Sequence, residues 1–155
     1  MLLKIRSISK SLNREWLQQF NLYRNIESEA ERFRSAEFKI MLNLEEPLSL
    51  EAEEQFILFR ILQEGLHNVI KHTEAVNVWL KIFQTKSCIK AILQDDGKGF
   101  DTNQKETGLG LNNMKQRTKS MGGTIDWKSS PAGTIINILI PIKHFNHETH
   151  YRNSR

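Results

Sequence analysis

Hydrophobic residues along this 155-residue chain switch repeatedly between two periods. Over Leu12–Phe33 they recur at every third or fourth residue, whereas over Phe38–Leu44 every second residue is apolar. The first spacing collects apolar side chains on one face of a helix, and the second collects them on one face of a strand. Elements with one apolar face must bury it against each other, so the pattern predicts stacked layers of helices and strands.

The complete predicted order is helix, strand, helix, two strands, a glycine-rich loop, helix and two strands. The second helix is expected to follow an N-cap at Ser49 and to end near Thr73, and the third to run from Gly108 to about Met121. Short turns join the strands of each later pair, which makes those pairs antiparallel. We therefore predict a two-layer α/β sandwich, with a mixed, largely antiparallel sheet covered by helices on one face. The predicted strands cover residues 38–44, 76–82, 89–93, 124–129 and 134–141.

Composition and charge exclude several classes of protein. The single cysteine, Cys88, rules out an internal disulfide and leaves a cysteine-rich metal site without ligands. No apolar run reaches the ~18 residues of a membrane span, and Met1–Arg6 lacks the features of a signal peptide. The net charge of +4 arises from 22 basic and 18 acidic residues spread along the chain, so we expect no nucleic-acid partner.

Four polar residues lie on one side of the second predicted helix. Glu64, Asn68 and His72 are spaced by four residues and Lys71 is adjacent, so all of them fall on the face opposite the apolar stripe. Every amphipathic helix needs a polar side, and the pattern alone therefore favours a solvated surface.

Two segments with paired glycines carry a more specific chemistry. Asp95 ends a strand, where its carboxylate can accept a hydrogen bond from an amino group, and Gly97 and Gly99 let the backbone approach a flat ligand. Residues 107–111, Thr-Gly-Leu-Gly-Leu, open the third helix, where backbone N–H groups form a site for phosphate. Taken singly, the first segment is also typical of a surface turn, and the second is not a P-loop because no Gly-Lys-Ser/Thr follows.

In their order and spacing these segments together resemble the ATP-binding domain of sensor histidine kinases, within the superfamily of gyrase, heat-shock chaperone, histidine kinase and mismatch-repair ATPases. The resemblance covers residues 50–142, and Gly-Leu-Gly-Leu-Asn-Asn-Met-x-x-Arg is similar to the segment found in nitrate and membrane-stress sensors. It implies a Bergerat-type ATP-binding fold that takes ATP and Mg²⁺. The matching motifs are the N box at Glu64–His72, the first glycine box at Asp95–Phe100, the second at Gly108–Leu111 and a third at Gly133–Thr134.

The resemblance assigns the adenine end of the nucleotide to the end of one strand. Asp95 would accept a hydrogen bond from the adenine amino group, and Thr134 would complete a water-mediated contact to the base. Gly97 and Gly99 would let the backbone approach the nucleotide.

The same resemblance assigns the triphosphate to the second and third helices. Glu64 is the expected catalytic residue that orients or deprotonates the attacking group, and Asn68 is the expected ligand of Mg²⁺. Lys71 and His72 are expected to face the triphosphate as further catalytic residues, under a mobile lid at Asp101–Thr107. The ATP-binding residues expected at the start of the third helix, where the glycines bring amides to the phosphates, are Gly108, Leu109, Gly110 and Leu111.

The resemblance also divides the chain into three parts. Residues 1–36 resemble the second helix of a dimerisation and phosphoacceptor hairpin, residues 37–143 form the ATP-binding catalytic domain, and residues 144–155 are a flexible tail. In the family the phosphoacceptor histidine lies on the first helix of that hairpin, but here no histidine precedes the N box. We therefore expect part of a longer kinase, with a stand-alone ATPase module as the alternative. The five histidines are His67, His72, His144, His147 and His150.

The predicted function is that of the ATP-binding catalytic domain of a two-component sensor histidine kinase, which transfers the γ-phosphate of ATP to a histidine outside this chain. The implied partners are the dimerisation and phosphoacceptor domain, a response regulator and, in the longer protein, a second copy. We expect this domain in the cytoplasm and the longer protein anchored in the inner membrane. Two alternatives stay open: an anti-sigma-type serine kinase, and a degenerate ATPase fold that serves dimerisation or scaffolding without turnover.

Overall fold

The computed structural model describes residues 14–35, 38–99 and 108–143. The predicted lid at Asp101–Thr107 and the tail at residues 144–155 lie outside these ranges. Residues 14–19 are helical and precede the helices and strands numbered below. Those elements, in chain order, are α1 (Leu22–Phe33), β1 (Lys39–Leu44), α2 (Ala52–His72), β2 (Asn77–Gln84), β3 (Cys88–Asp95), α3 (Leu109–Ser120), β4 (Thr124–Ser130) and β5 (Gly133–Pro141).

The five strands form one sheet in the order β1-β2-β3-β5-β4. β1 and β2 are parallel, and α2 makes the crossover between them, whereas the pairs β2–β3, β3–β5 and β4–β5 are antiparallel. A parallel connection needs a crossover of a dozen or more residues, which the 21-residue α2 supplies. The predicted mixed, largely antiparallel sheet is confirmed.

One face of the sheet forms the core with the helices. The register aligns Leu80 with Leu93 and Leu93 with Ile136, so that apolar side chains from neighbouring strands form rows on that face. α2 lies directly on these rows: a Cβ atom added at Gly65 would be 2.6 Å from the Leu93 side chain. The helix contributes the buried residues Leu58, Ile61, Leu62, Leu66 and Val69.

The opposite face of the sheet is open. Trp79 and Leu139, which alternate with core residues on their strands, are 40% and 37% exposed. Lysines accompany them at Lys81 and Lys128, whose side chains are exposed as well. The helices therefore cover one face only, as the hydrophobic patterning predicts.

The N-terminal helix differs from the expectation of one stripe over Leu12–Phe33. The helix is interrupted at residues 20–21, and Asn21 is extended (φ −119°, ψ 112°) with its side-chain oxygen accepting the backbone N–H of Arg24 at 2.9 Å. Asparagine is a favoured N-cap because it satisfies an N–H group that has no partner within the helix. The first piece nevertheless stays on the body, since Trp16 and Phe20 pack edge-on against Phe56 of α2 at 5.1 and 5.4 Å.

The start of α2 also differs from the expectation. Glu51, not Ser49, is the N-cap, and it forms a reciprocal capping box with Glu54. Ser49 instead bonds across to Gln84 at the end of β2, through its N–H at 2.7 Å and its hydroxyl at 3.0 Å. The end of the helix at Thr73 is as predicted. In the described part of the chain, the length and apolarity that a bilayer-crossing helix requires are not found together in any helix.

Candidate functional site

The polar face of α2 meets the start of α3 where Glu64 lies against Gly110, and Thr73 at the end of α2 contacts Asp95 at the end of β3. The region between these two contacts is called the cleft below. Glu64 and Asn68 are half-buried, one helical turn apart, while Lys71 and His72 in the last turn are exposed. Among the described residues, neither Lys71 nor His72 makes a side-chain hydrogen bond or ion pair. The helix thus presents an acid and an amide towards α3 and two cationic or ionisable groups towards solvent.

The start of α3 packs against this face of α2. A methyl group at Gly110 would overlap with the Glu64 carboxylate, so glycine lets this carboxylate lie directly against the start of α3. One turn further along each helix, the amide nitrogen of Asn68 lies 4.0 Å from the sulfur of Met114. The positive end of the α3 dipole therefore lies beside an acid.

The first turn of α3 begins with exposed residues. Gly108 is its N-cap, and a Cβ atom there would meet no atom of the described residues within 4 Å. Leu109 is 78% exposed, although it is a large apolar residue. Backbone N–H groups of a first helical turn that lie beside open space are suited to bind an anion.

At the other end of the cleft, Asp95 is a nearly buried acid, only 2% exposed. It ends β3 on the core face, opposite Thr134 of β5. Its carboxylate accepts hydrogen bonds from the backbone N–H of Gly97 at 2.8 Å and of Thr134. The Thr73 hydroxyl lies 2.8 Å from the Val69 carbonyl oxygen and also within hydrogen-bond reach of the Asp95 carboxylate. It has one proton, so it can donate to only one of these two acceptors at a time.

Burial raises the pKa of the Asp95 carboxyl, because a charged carboxylate loses solvation there, and repulsion from Asp96 acts in the same direction. The hydrogen bonds from Gly97, Thr73 and Thr134 oppose this rise. A carboxylate in this environment is a strong acceptor for an amino group of a ligand. Burial has removed most of its hydrating water, and a hydrogen bond from the ligand would compensate for that loss.

The loop after Asp95 is held by Asp96. Its carboxylate accepts the backbone N–H groups of Val76 and Asn77 at 2.9 and 2.8 Å and the Asn77 side-chain amide at 2.7 Å. These bonds, the backbone N–H of Asn77 first, lower the pKa of Asp96. The two adjacent acids therefore have opposite roles, since Asp96 anchors the loop while Asp95 faces the cleft.

The glycines of this loop allow close backbone packing. Gly97 lies so near Thr73 that any side chain would collide with it, and the backbone N–H of Lys98 bonds to the Thr73 carbonyl at 2.7 Å. Gly99 has a φ of +67°, in the left-handed region that favours glycine, and lies against the carbonyl of Ser130. The loop is thereby fixed between the end of α2 and the β4–β5 turn.

The structure brings most of the predicted site residues to this one cleft. Glu64, Asn68 and Gly110 border one end, and Asp95, Gly97, Gly99 and Thr134 surround the other; Lys71 and His72 lie nearby on the exposed side of α2. Thr73, the C-cap of α2, follows Glu64 by nine positions, a rise of about 14 Å at ~1.5 Å per residue, so the two groups of residues lie well apart along the helix.

Two contributors are absent from the sequence-based set. Thr73 is predicted only as the end of a helix, yet it contacts both Asp95 and Gly97. Ser129 lies 2.9 Å from the Thr134 hydroxyl, although the two belong to different strands. A threonine directly after a helix that leads into a strand is the only sequence signal for the first, and the register of β4 on β5 alone reveals the second.

Comparison with known proteins agrees with this architecture. The model of the family described as histidine kinase-, DNA gyrase B-, and HSP90-like ATPases matches residues 53–144, more than half of the chain. Among curated proteins, the chain is 41% identical over 90 residues to the signal transduction histidine-protein kinase/phosphatase DegS of Brevibacillus brevis, covering 57% of this chain and 23% of that protein. It is 33% identical over 93 residues to UhpB of Salmonella typhimurium, covering 60% and 18%. The chain thus spans less than a quarter of the length of these relatives.

Solved structures share the fold at low sequence identity. The histidine kinase domain of the Erythrobacter litoralis EL346 blue-light activated histidine kinase superposes with a TM-score of 0.70 at 20% identity, over 78% of this chain and 59% of that one. The Acinetobacter baumannii histidine kinase AdeS gives a TM-score of 0.67 at 17% identity, over 92% and 82%. These likenesses establish the fold of the chain.

Proposed function

Because this chain belongs to the histidine kinase-, DNA gyrase B- and HSP90-like ATPase family, we propose that it is the ATP-binding catalytic part of a sensor histidine kinase. The observation that carries the proposal is the arrangement around Asp95: a nearly buried acceptor at one end of the cleft, with the exposed start of a helix at the other. A nucleotide has an amino group at one end and anionic phosphates at the other, so it complements both.

The adenine end of the proposal rests on hydrogen-bond chemistry. Adenine presents an amino group at the position where guanine has a carbonyl oxygen. The Asp95 carboxylate would accept from the former and repel the latter, and the Thr134 hydroxyl would support a water next to the base. Gly97, where any side chain would collide with Thr73, keeps the loop beside Asp95 close to the end of α2.

The phosphate end rests on dipoles and charges. The N-terminal amides of α3, at Gly108 to Leu111, would bind the phosphate oxygens, and Lys71 and His72 would lie near them. Glu64, which lies against Gly110, would orient or deprotonate the attacking nitrogen of the acceptor histidine. Positioning and charge neutralisation would therefore supply most of the catalysis.

The residues present fit a magnesium ion. The amide nitrogen of Asn68 is turned towards the Met114 sulfur, so its carbonyl oxygen is the atom available to a cation, and Glu64 is one turn away. Mg²⁺ takes a few protein oxygens together with phosphates and water, and it would neutralise phosphate charge when bound.

The partners of the longer kinase follow as part of the proposal. The γ-phosphate would pass to a histidine of a dimerisation and phosphoacceptor domain and from there to a response regulator, with two copies of the kinase in the assembly. The longer protein would be anchored in the inner membrane with this part in the cytoplasm. The curated relatives of this chain include several named sensor proteins, among them VraS of Staphylococcus aureus.

Calorimetric titration of the 155-residue chain tests the proposal. We expect ADP, and ATP with Mg²⁺, to bind at one site per chain. GTP with Mg²⁺ should bind at least about tenfold more weakly, because two hydrogen-bond acceptors would face each other in a buried place, and a tenfold loss of affinity corresponds to only about 1.4 kcal/mol of binding free energy. Equal affinity for ATP and GTP would contradict the adenine site, and no binding of either would contradict the function.

A second measurement distinguishes an active kinase domain from a degenerate ATPase fold that binds ATP without turnover. The chain is mixed with a separately produced phosphoacceptor helical domain from a relative such as DegS, together with γ-labelled ATP and Mg²⁺. Acid-labile label on that domain is expected. ATP binding without transfer to any such acceptor would favour a scaffold that has lost turnover.

A further inference from the structure

A nearly buried carboxylate outside the cleft joins the N-terminal helices to α2. Glu29 lies on the inner face of α1 with Leu22, Ile26 and Ala30, and it is only 4% exposed. A carboxylate in an apolar seam costs free energy unless charged or polar partners compensate it. Its presence in a stripe that is otherwise apolar therefore needs a reason.

The partners of Glu29 lie mainly on α2. One carboxylate oxygen accepts from Gln63 Nε2 at 3.1 Å and lies 3.0 Å from His67 Nε2, while the other pairs with Arg32 of its own helix at 3.0 Å. The edge of the contact is closed by Phe33, whose ring packs perpendicular to the His67 ring at 5.4 Å. These four residues, Glu29, Arg32, Gln63 and His67, are called the Glu29 cluster below.

The Glu29 cluster holds the same turn of α2 that carries the phosphate end of the cleft. Gln63 and His67 form one row along the helix, and Glu64 and Asn68 form the adjacent row, about 100° further round, because a residue advances by that angle in a helix with 3.6 residues per turn. Any rotation or shift of this turn moves both rows together. The contacts of α1 and the contacts of α3 thus act on neighbouring rows of the same short stretch of α2.

We propose that Glu29 is a positioning residue: it sets the rotation of the Gln63–Asn68 turn of α2 and so couples the docking of the N-terminal helices to Mg²⁺-nucleotide binding. This inference rests on the proposed function, since it concerns the same cleft. By linkage, the coupling is reciprocal, so nucleotide must protect α1 to the degree that a docked α1 favours nucleotide.

A purely structural role for Glu29 makes different predictions. If the Glu29 cluster only stabilised the packing of α1 on α2, its loss would destabilise α1 and leave the affinity for nucleotide unchanged. A positioning role requires that affinity for ATP with Mg²⁺, which depends on Glu64 and Asn68, falls more than affinity for metal-free ADP.

The test uses the full 155-residue chain and three variants. Glu29→Gln keeps the size and one acceptor oxygen but removes the charge, and His67→Ala removes the partner on α2 from a half-buried site. Glu31→Gln is the matched control, because Glu31 is an exposed acid on the same helix that pairs only with Arg34, at 2.8 Å. Affinities for ATP with Mg²⁺ and for ADP without metal are measured by calorimetry, and protection of residues 22–33 by hydrogen exchange.

We expect Glu29→Gln and His67→Ala each to weaken binding of ATP with Mg²⁺ about fivefold or more, the lower end of common coupling effects. The double variant should lose no more than the stronger single one, because both act through one contact. Nucleotide should increase the protection of α1 in the parent chain and in Glu31→Gln but not in Glu29→Gln. His67→Ala supplies the same test if Glu29→Gln does not fold.

Two results would overturn the inference, and they are distinguishable. Parent-like affinity of both variants, with nucleotide-dependent protection of α1 retained, would make Glu29 structural while leaving the proposed function intact. Absence of nucleotide binding by the parent chain itself would overturn the proposed function and this inference with it.

Discussion

Individual side chains decide which ligand the cleft accepts. Asp95 and Asp96 are neighbours in sequence, but their surroundings differ. Asp95 lies on the core face of the sheet, whereas Asp96 points towards Asn77 at the start of β2. Asp96 has all its bonds to the protein backbone and to Asn77, whereas Asp95 borders the cleft. The adenine preference is therefore expected to depend on Asp95.

Asp95→Asn is expected to weaken ADP binding by about tenfold or more, since a hydrogen bond to a charged group contributes about 1.5–3 kcal/mol. The Gly97 N–H would hold the new amide oxygen and leave the amide nitrogen, a donor, facing the amino group of adenine. Asp126→Asn, on the open face of the sheet near Asn137, is the control. Calorimetry that finds ADP bound equally well by all three proteins would contradict the adenine role.

The same substitution has a predictable effect on stability without nucleotide. Because burial raises the pKa of Asp95 in the folded state above its ordinary value of 3.8, the folded state binds this proton more tightly than the unfolded state. The free energy of unfolding contributed by Asp95 therefore falls as the pH rises from that ordinary value through the raised one. Asp95→Asn lacks this proton, so the variant should gain stability relative to the parent over that window.

Urea unfolding of both proteins from a pH below 3.8 to neutral pH measures this difference. Taking the difference between parent and variant cancels the titration of the other groups. Parallel stability curves at every pH would show that Asp95 costs nothing to ionise in the fold.

Asn68→Ala separates the metal from the base. The variant should lose more affinity for ATP with Mg²⁺ than for metal-free ADP, because only the former uses an oxygen ligand from α2. Asn137→Ala, an asparagine on the open face of the sheet, controls for the loss of an amide. Equal losses with and without Mg²⁺ would indicate damage to α2 instead of loss of a metal ligand.

At the scale of elements, the cleft depends on how closely α3 approaches α2. Gly110→Ala should lower the affinity for ATP with Mg²⁺, because the added methyl group would displace the Glu64 carboxylate from its place beside α3. Gly108→Ala is the matched control: its Cβ would meet no atom of the described residues within 4 Å, and the φ of −53° suits any residue. Calorimetry with ATP and Mg²⁺ should therefore separate the two, and equal affinities would contradict a role for the Glu64 position.

The N-terminal helices show why an element can be foreseen while its ends cannot. The apolar stripe from Trp16 to Phe33 predicts a helix but does not tell which surface its apolar face contacts, and the break lies at Asn21, where an asparagine cap competes with an uninterrupted helix. At the start of α2, Ser49 and Glu51 are both possible caps, and the bond from Ser49 to the distant Gln84 selects the second. Several residues near a helix end can therefore act as its cap, and contacts with distant parts of the chain determine which of them does.

The whole chain is expected to bind ATP without phosphorylating itself. Because nucleotide binds the folded state and not the unfolded one, it should raise the free energy of unfolding by about 2.7 kcal/mol at a concentration of about 100 times Kd. Transfer would need a histidine nitrogen at about 3–3.5 Å from the γ-phosphorus. The His67 ring contacts the Glu29 carboxylate at 3.0 Å, and His72 lies on the same helix as the proposed phosphate site. One helix does not supply both the cradle and the acceptor.

Incubation of the chain with γ-labelled ATP and Mg²⁺, followed by acid, measures this. Little acid-labile label is expected on the chain alone, whereas thermal unfolding should respond to ATP. Rapid, stoichiometric, acid-labile labelling of the isolated chain would contradict the separation of catalytic domain and acceptor.

The sequence by itself determined the order of elements and the one-sided sheet, because periodicity and glycine positions act over short stretches of chain. A spacing of four puts Glu64 and Asn68 on one helix face, and alternation puts Asp95 at the end of a strand, whereas only the resemblance to a family joined them in one predicted site. Tertiary structure alone decided the contact of Gly110 with Glu64, the participation of Thr73 and the burial of Glu29 between two helices. Each of these joins residues far apart in the chain, and their distance is set by packing of the whole molecule, which no local pattern encodes.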